Sequence, residues 1–351
     1  MEYETTETAG KEGYPDALGM WESVFPDSAD FKKKCPWYYE SKSYASSLYL
    51  LREKGLTDVV GAISSVSRPY YLKNGEQVVG LCADFAVEKN HQTLVPALQI
   101  LKSLVDGSHG KCDLLLGFPN NNAVTVMCRA GFHILDELPR YALVLKSEPY
   151  IKRITSSRFS SLVTVPLDFL LRLYFRLSRC SYFSDYQLTE IFSADDSFDI
   201  LWNTYTEQSH LYTGKRDRAY LDWRFFSTPY SGFRVFSLKN KKTQVLVGYA
   251  VIRDNGDGNW YVFDFFTLPG SKILKCLMQK LIAVAIKENA TSLFTEFLGN
   301  QEVTKLFHAM RFSKRTSERC IILYSLNESN EEQDDLYGSN NWYITSADEL
   351  G

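Results

Sequence analysis

Apolar runs and polar breaks alternate most regularly in residues 79–132. The predicted order is strand 79–87, loop 88–93, helix 94–106, strand 113–118 and helix 120–132. An Asn-rich turn opens the second helix, and a Gly-Phe pair ends it. This stretch therefore predicts a strand–loop–helix–strand–helix unit.

The loop between the first strand and its helix is a candidate anion site. The first turn of a helix leaves backbone N–H groups unpaired and carries the positive end of the helix dipole. Such an end can receive a phosphate or pyrophosphate group. The same unit also occurs in α/β proteins that bind nothing there, and a proline such as Pro96 is ordinary in a first turn. The loop alone therefore leaves both interpretations open.

The residues of this loop resemble a known motif. Residues 92–97 read Gln-Thr-Leu-Val-Pro-Ala and resemble the Gln/Arg-x-x-Gly-x-Gly/Ala loop of the GNAT superfamily of acyl-CoA N-acyltransferases. Gln92 and Ala97 match that loop, whereas Val95 replaces its middle glycine. Residues 91–99 are more similar to a His-Arg-Ser/Thr-Leu-Gly-Pro-Ala loop of acyltransferases in bacterial surface-polysaccharide pathways. Downstream residues that also fit are Pro119, Asn120, Ala123, Gly131, Phe132, Arg140 and Tyr141.

The resemblance implies an acyl-CoA co-substrate, most simply acetyl-CoA, whose pyrophosphate lies in this loop. It also implies that a backbone N–H near residues 86–88 contacts the acyl oxygen. The residues implied to bind the co-substrate are Ala86, Val87, Gln92, Thr93, Leu94, Val95, Pro96, Ala97 and Asn120.

N-acyl transfer requires a proton acceptor for the amine and a proton donor for the leaving thiolate. Asp84 is the first candidate acceptor, because it lies on an apolar strand where burial would raise its pKa. Glu88 and His91 are the other candidates, and a structural carboxylate is the alternative interpretation of Asp84. Many family members place a tyrosine in the second helix, where this sequence has Met127. Tyr141 or solvent is then left as the proton donor.

A second copy of the pattern lies 180 residues further along the chain. Four landmarks keep their order: residues 120–132 match 300–312 and 84–85 match 264–265 at this offset, and, with a few residues of slippage, 60–61 match 247–248 and 37–39 match 223–225. A chance likeness between two helices that end in Phe is the alternative. The ordered landmarks favour a tandem duplication.

The sequence therefore predicts an α/β (α+β) protein with two tandem GNAT-like domains, each a mixed, mostly antiparallel sheet flanked by helices. The predicted parts are a flexible N-terminal arm at 1–20, an N-terminal domain with the acyl-CoA loop at 21–148, a helical connector at 149–185, a C-terminal domain at 186–328, and an acidic loop with a tail at 329–351.

The second half is expected to shape an acceptor pocket at the seam between the domains. Its loop at 268–273 lacks the spacing of residues 92–97, and residues 220–230 resemble the Trp-Arg-Tyr/Phe block of the polysaccharide subgroup. The tail from Trp342 to Asp348 also resembles that subgroup. The candidate acceptor-binding residues are Trp37, Tyr38, Trp223, Arg224 and Asp264.

Residues 162–177 are apolar around most of a helix, with Asp168, Arg172 and Arg176 spaced by four. The segment is too short and too charged to span a bilayer. A connector packed between the halves is the preferred interpretation. The alternative is a helix at a membrane interface, flanked by Lys152, Arg153, Arg158 and Arg179.

Composition narrows the function classes. The chain has 351 residues, enough for two domains, and its 45% hydrophobic and 23% charged residues are typical of a globular protein. A net charge of −3 and a pI near 6.0 give no basic surface for nucleic acid. Seven scattered cysteines without a CxxC pair argue against zinc and disulfides, and residues 1–16 lack a secretory signal. We therefore expect a cytoplasmic protein without a metal, located either free in the cytoplasm or at the inner face of the membrane.

Three functions remain open on the sequence. The first is an acyl-CoA-dependent N-acyltransferase acting on an amine of a small molecule, an amino sugar or a sugar-lipid precursor. The second is an aminoacyl or peptidyl transferase similar to the FemAB group, which the acidic pI disfavours because tRNA binding needs basic surface. The third is a non-catalytic acyl-CoA-binding or scaffold protein, which the missing glycine and tyrosine favour.

Overall fold

The computed structural model describes residues 1–25, 31–151, 157–254, 256–317, 319–327 and 335–349, without the side chains of 157–163. The helices are α1 (Gly10–Val24), α2 (Phe31–Tyr39), α3 (Leu94–Ser108), α4 (Asn121–Arg129), α5 (Glu148–Ile151), α6 (Ser157–Leu177), α7 (Ser197–Gln208), α8 (Arg218–Leu221), α9 (Ser271–Lys287) and α10 (Gln301–Ala309).

The strands of the first half are β1 (Tyr3–Ala9), β2 (Ser46–Glu53), β3 (Val59–Leu72), β4 (Gly75–Val87), β5 (Leu114–Gly117), β6 (His133–Glu137) and β7 (Arg140–Val144). Those of the second half are β8 (Tyr186–Ile191), β9 (Thr213–Gly214), β10 (Phe233–Asn240), β11 (Leu246–Asp254), β12 (Asn259–Thr267), β13 (Ser292–Gly299), β14 (Ser313–Arg315), β15 (Cys320–Ser325) and β16 (Tyr343–Thr345).

The described strands form two eight-stranded sheets, each mixed and mostly antiparallel and flanked by helices. The first has the order β1-β2-β3-β4-β5-β15-β6, with β9 paired to β3. The second has the order β14-β7-β13-β12-β11-β10-β8, with β16 paired to β13. The predicted fold class is confirmed.

The predicted strand–loop–helix–strand–helix unit is present as β4, α3, β5 and α4. Asn120 caps α4 by accepting hydrogen bonds from the backbone N–H groups of Asn122 and Ala123. Asn300 caps α10 in the same way, and the two helices are both nine residues long. The two halves therefore repeat the same elements in the same order.

Each half inserts one strand between two strands of the other half's sheet. Strand β15 of the second half lies between β5 and β6, with Leu323 opposite Leu116. Strand β7 of the first half lies between β13 and β14, with Leu143 opposite Leu293. The predicted domain boundaries at 148 and 328 therefore divide the sequence but not the sheets, because each sheet contains a strand from the other half.

The N-terminal segment differs from the prediction of a flexible arm over residues 1–20. Strand β1 pairs with β2 along its whole length, and α1 buries Ala17 and Trp21 in the core. The sequence of β1 is polar because both its faces are largely exposed at the sheet edge, where charged residues are common. Its polarity therefore did not distinguish an edge strand from a disordered arm.

One hydrophobic core spans both halves, and a second, smaller one lies under α3 and α4. Trp37 of α2 and Trp223 of the second half stack with their ring centroids 4.9 Å apart. Each indole N–H donates to the backbone carbonyl of the other tryptophan, at 3.0 Å and 3.5 Å. The centre of the molecule is therefore a packed junction between equivalent parts of the two halves.

Candidate functional site

Strands β4 and β5 separate part of the way along the first sheet. Their parallel pairing runs from Val79 opposite Leu114 to Cys82 opposite Gly117, and β4 then continues to Val87. Two adjoining cavities of about 280 Å³ and 600 Å³ lie where the strands diverge. They share Phe25, Phe85, Asn120 and Ala123 in their walls, and together we call them the first-half groove.

The outer part of this groove is built from the end of β4, the following loop and the helices α3 and α4. The predicted co-substrate residues that line it are Ala86, Val87, Gln92, Thr93, Leu94, Ala97 and Asn120. Gln92 shapes the loop because its side-chain amide donates to the Val87 carbonyl at 2.9 Å. Pro96 is buried, and Val95 is 66% exposed in the first turn of α3, outside the lining.

The start of α3 supplies anion-binding character to the outer groove. Thr93 is the extended residue before the helix, and Pro96 has no N–H to offer. The unpaired first-turn donors are therefore the N–H groups of Leu94 and Val95, at the positive end of the helix dipole. Arg129 in the same lining adds a guanidinium. These groups fit a pyrophosphate chemically.

The inner part of the groove has mostly apolar walls. Its polar lining residues are Lys34, Cys82, Asp84, Asn120 and Glu349. Burial raises the pKa of the Cys82 thiol, so this group is neutral at physiological pH. The lining therefore includes two acidic residues and one lysine among mostly apolar neighbours.

Asp84 lies at the irregular point of β4. Its φ of 55° is unusual for a residue with a side chain, and it sits where the register between β3 and β4 shifts. The Asp84 carboxylate accepts hydrogen bonds at 2.6 Å from both Lys34 Nζ and Tyr39 Oη. The side chain is only 5% exposed. Asp84 therefore lines the cavity, but both its oxygens are already engaged by protein groups.

The structure does not bring Glu88 and His91 into the groove. His91 is buried toward the sheet edge, where its Nδ1 lies 3.0 Å from Tyr3 Oη and its Nε2 lies 3.4 Å from Glu53. Glu88 lies on the same side, 3.9 Å from His91. The prediction that these residues serve as alternative bases is corrected, because their side chains line neither cavity.

Sequence reasoning missed Glu349. This residue follows the C-terminal strand β16 and lines the inner cavity of the first half, from the far end of the chain. Its carboxylate contacts the guanidinium of Arg319, which also donates to Glu296 at 2.6 Å. The resemblance of the tail to the polysaccharide subgroup covers Trp342 to Asp348 and stops one residue before Glu349.

The predicted acceptor-binding residues are instead part of the junction between the halves. Tyr38, Trp223 and Arg224 are buried, and Trp37 stacks on Trp223 as described above. Burial lowers the pKa of the Arg224 guanidinium, which donates to the Glu349 carbonyl at 2.9 Å. Their aromatic character indicated a binding surface, but the same residue types also form packed interfaces. This prediction is corrected.

Asp264, the counterpart of Asp84, lies in a closed polar cluster. Its carboxylate contacts the guanidinium of Arg216 and accepts from Tyr249 at 2.7 Å and from Thr345 at 2.8 Å. Burial raises the pKa of Asp264 despite these partners. Because the residue is fully buried, its predicted role in acceptor binding is also corrected.

Tyr141 is not placed to donate a proton in the groove. It belongs to β7 in the second sheet, where its ring packs 5.1 Å from that of Phe307. Burial raises the pKa of the Tyr141 phenol. Met127, at the position of the family tyrosine, lines the inner cavity. Solvent is therefore the remaining proton donor of the two that the sequence suggested.

The equivalent opening in the second half is partly filled by the chain itself. Strands β12 and β13 pair from Asn259 to Val262 and then diverge, as β4 and β5 do. Strand β16 enters this opening and pairs with β13. The tail is held there by Asp348, which accepts from Arg216 at 2.6 Å and from Arg68 of the first half at 2.9 Å.

One backbone N–H at the start of α9 is hydrogen-bonded within the protein. The Glu302 carboxylate accepts a hydrogen bond from the backbone N–H of Ser271, the first residue of α9, at 3.2 Å. A carboxylate thus occupies the helix end at which the first half offers free N–H groups. A cavity of about 340 Å³ remains beside it, and Glu302 and Tyr343 form part of its wall.

The described part of the chain was predicted to lack a metal site and a membrane-spanning helix. No group of three His, Cys, Asp or Glu side chains there is arranged to hold a metal ion. No helix within those residues has the length and apolar character needed to cross a membrane.

The sequence and the structure were compared with those of known proteins, and the structural comparison identifies the fold. No protein-family profile matches the sequence. No curated protein matches it either. A GCN5-related N-acetyltransferase from Anabaena variabilis superposes with a TM-score of 0.62 at 12% identity, over 93% of this chain and 73% of that one.

Two other solved structures show the same architecture. A tandem GNAT protein from the clavulanic acid biosynthesis pathway has a TM-score of 0.52 at 11% identity, over 94% of this chain and 100% of its own. Saccharomyces cerevisiae N-myristoyltransferase, with bound myristoyl-CoA, has a TM-score of 0.53 at 11% identity, over 93% and 79%. The chain therefore has the tandem GNAT fold.

Proposed function

We propose that this protein is an acyl-CoA-dependent N-acyltransferase that binds one acyl-CoA in the first-half groove. The observation that carries the proposal is the asymmetry between the halves. The opening beside β4 remains free, with helix N–H groups and Arg129 at its outer end. The opening beside β12 is narrowed by β16 to a cavity of about 340 Å³, and Glu302 accepts a hydrogen bond from one N–H at the start of α9.

The groove offers each part of an acyl-CoA a suitable environment. The pyrophosphate would lie at the start of α3, near Leu94, Val95 and Arg129. The pantetheine arm would follow the end of β4 at Ala86 and Val87, beyond the point where β4 and β5 stop pairing. The acyl group would reach the inner cavity of about 280 Å³, which accommodates an acetyl group.

Glu349 is the proposed proton acceptor for the attacking amine. Two carboxylates line the inner cavity, and that of Asp84 is engaged by Lys34 and Tyr39. The Glu349 carboxylate contacts Arg319, and its side chain is 21% exposed against 5% for Asp84. Asp84 then acts as a positioning residue that fixes Lys34 and the irregular turn of β4.

The proposed acceptor is an amine, such as that of an amino sugar or a sugar-lipid precursor. Lys34 and Asp84 from the first half and Glu349 from the end of the chain give the inner cavity charged groups of both signs. Such a lining suits an acceptor with an amine and hydroxyl groups. The resemblance of residues 91–99 to polysaccharide-pathway acyltransferases supports the same acceptor class.

A non-catalytic acyl-CoA-binding protein is the second candidate. Val95 and Met127 replace two residues that the family motif contains, and both observations favour it. It predicts the same groove and the same ligand, without transfer to an amine.

Turnover separates the two candidates. Purified protein is incubated with acetyl-CoA and a panel of amino sugars, while free coenzyme A thiol and acetylated product are followed. The proposal predicts thiol release that depends on the amine. Acetyl-CoA binding without transfer to any amine would support the second candidate, and absence of binding would contradict both.

A further inference from the structure

Helix α6 presents two very different faces. One face of the helix is wholly or partly buried against the protein and carries Thr164, Asp168, Leu171 and Phe175. Asp168 anchors this side by accepting hydrogen bonds at 2.6 Å from the backbone N–H and the hydroxyl of Ser147. The predicted connector role is consistent with this face, but it does not account for the opposite one.

The outward face of α6 is apolar. Phe169 is 65% exposed and Leu177 is 75% exposed, with Leu170 and Leu173 between them on the same side. Seven of the seventeen exposed large apolar side chains in the described residues lie on this one helix. Scattered exposed apolar residues are normal, but a contiguous patch marks an interaction surface.

Arginines border this patch on both sides. Arg172 and Arg176 are exposed along one flank. On the other flank, a groove of about 760 Å³ separates α6 from β7, β13 and β14, and we call it the arginine groove after its lining residues Arg140, Arg311 and Arg315. Arg140 stacks on Phe294 at 3.6 Å.

The three arginines of the arginine groove form no ion pair within the described part of the chain. No carboxylate there lies within 4.0 Å of the guanidinium groups of Arg140, Arg311 or Arg315. Asp257 is the acidic residue of the lining, and its carboxylate accepts hydrogen bonds from the backbone and side chain of Asn259. The groove is therefore cationic.

We propose that α6 docks in the plane of an anionic lipid bilayer, with its apolar face among the acyl chains and the flanking arginines among the lipid phosphates. An amphipathic helix with basic residues beside its apolar face binds in this way. Each arginine near an anionic surface increases partitioning roughly fivefold. A second copy of this chain is a poorer partner, because it would bring two sets of unpaired arginines together. Lys152 and Arg153, which were predicted to flank this helix, lie outside the described residues, as does the side chain of Arg158.

Vesicle sedimentation tests the proposal directly. The full chain is mixed with vesicles of phosphatidylcholine alone and with vesicles containing phosphatidylglycerol. The proposal predicts binding to the anionic vesicles that weakens as salt is added, because the surface attraction is screened. The double variant Phe169→Ser, Leu173→Ser is predicted to bind at least tenfold more weakly, and Arg140→Glu, Arg315→Glu to bind more weakly only to the anionic vesicles.

The matched control is Ile200→Ser, which removes a similarly exposed apolar side chain from α7. It is predicted to bind vesicles like the parent protein, and the thermal melting of every variant checks its fold. Equal binding by the parent and the Phe169→Ser, Leu173→Ser variant would overturn the proposal. The proposal would also be overturned if the parent protein did not bind anionic vesicles and instead formed a dimer, and the double variant were monomeric. The test needs no acyl-CoA, so its failure is distinct from failure of the proposed activity.

Discussion

At the inner end of the first-half groove, two carboxylates lie in different surroundings. Asp84 is held by an ammonium and a phenol inside the protein, whereas Glu349 reaches the cavity from the tail. A group that must take up and release a proton needs access to the acceptor, and Glu349 meets this condition better. Residue-scale experiments can therefore separate a catalytic carboxylate from a structural one.

Glu349→Gln removes the proposed proton acceptor while keeping the size of the side chain. We expect kcat to fall by about 100-fold, the usual scale for loss of a general base. The affinity for acetyl-CoA and the melting temperature should change little. Glu302→Gln, on the second half, is the control and should keep the parent kcat. An unchanged kcat in Glu349→Gln would rule out this role.

Asp84→Asn breaks the buried ion pair between Lys34 and Asp84. We expect a loss of about 3 kcal/mol in the free energy of unfolding, because breaking a buried ion pair is costly. Chemical denaturation measures this loss. The control is Asp16→Asn, whose pair with Arg52 is exposed and should contribute less than about 1 kcal/mol. Equal stability of the two variants would show that the Lys34 pair does not hold the site together.

At the scale of elements, the exchanged strands β7 and β15 join the two halves. Each sheet has a strand from the other half between two of its own strands. The main-chain hydrogen bonds of β5 and β6 therefore depend on residues 320–325. Neither half can complete its sheet alone, so the molecule should fold as one unit.

Dividing the chain after Leu138 tests this dependence. Residues 1–138 alone lack β15 and should show no cooperative unfolding transition by circular dichroism. Co-expression with the remaining segment should restore a complex of one copy of each. A cooperative, monomeric 1–138 segment would contradict the structural role of the exchange.

The sequence predicted the helices and strands themselves better than it predicted which of them pair or pack together. The order β4, loop, α3, β5, α4 follows from local apolar runs and turn residues, and the repeat after 180 residues revealed the second half. The strand exchange was not predictable, because the apolar pattern of β7 is the same in either sheet. Tyr38 and Asp264 were misassigned since aromatic and acidic residues occur both in pockets and in packed junctions. Glu349 was missed because its position depends on how the tail crosses to the other half.

At the scale of the whole molecule, the two halves share a fold but differ at their openings. The first half keeps an open groove, while the tail of the second half narrows the equivalent opening. Asp348 ties this closure to both halves, since Arg68 comes from β3 and Arg216 from the second half. The arrangement predicts one co-substrate site in each chain rather than two.

Calorimetric titration with acetyl-CoA tests this claim most directly, using a pair of variants at equivalent positions. Val95 is the second residue of α3, and Lys272 is the second residue of α9; both are exposed. An aspartate in the first turn stabilises a helix, so Val95→Asp should keep the fold while repelling the pyrophosphate. We predict one site per chain, binding at least tenfold weaker in Val95→Asp, and parent-like binding in Lys272→Asp. Two sites per chain, or loss of binding in Lys272→Asp alone, would contradict the account.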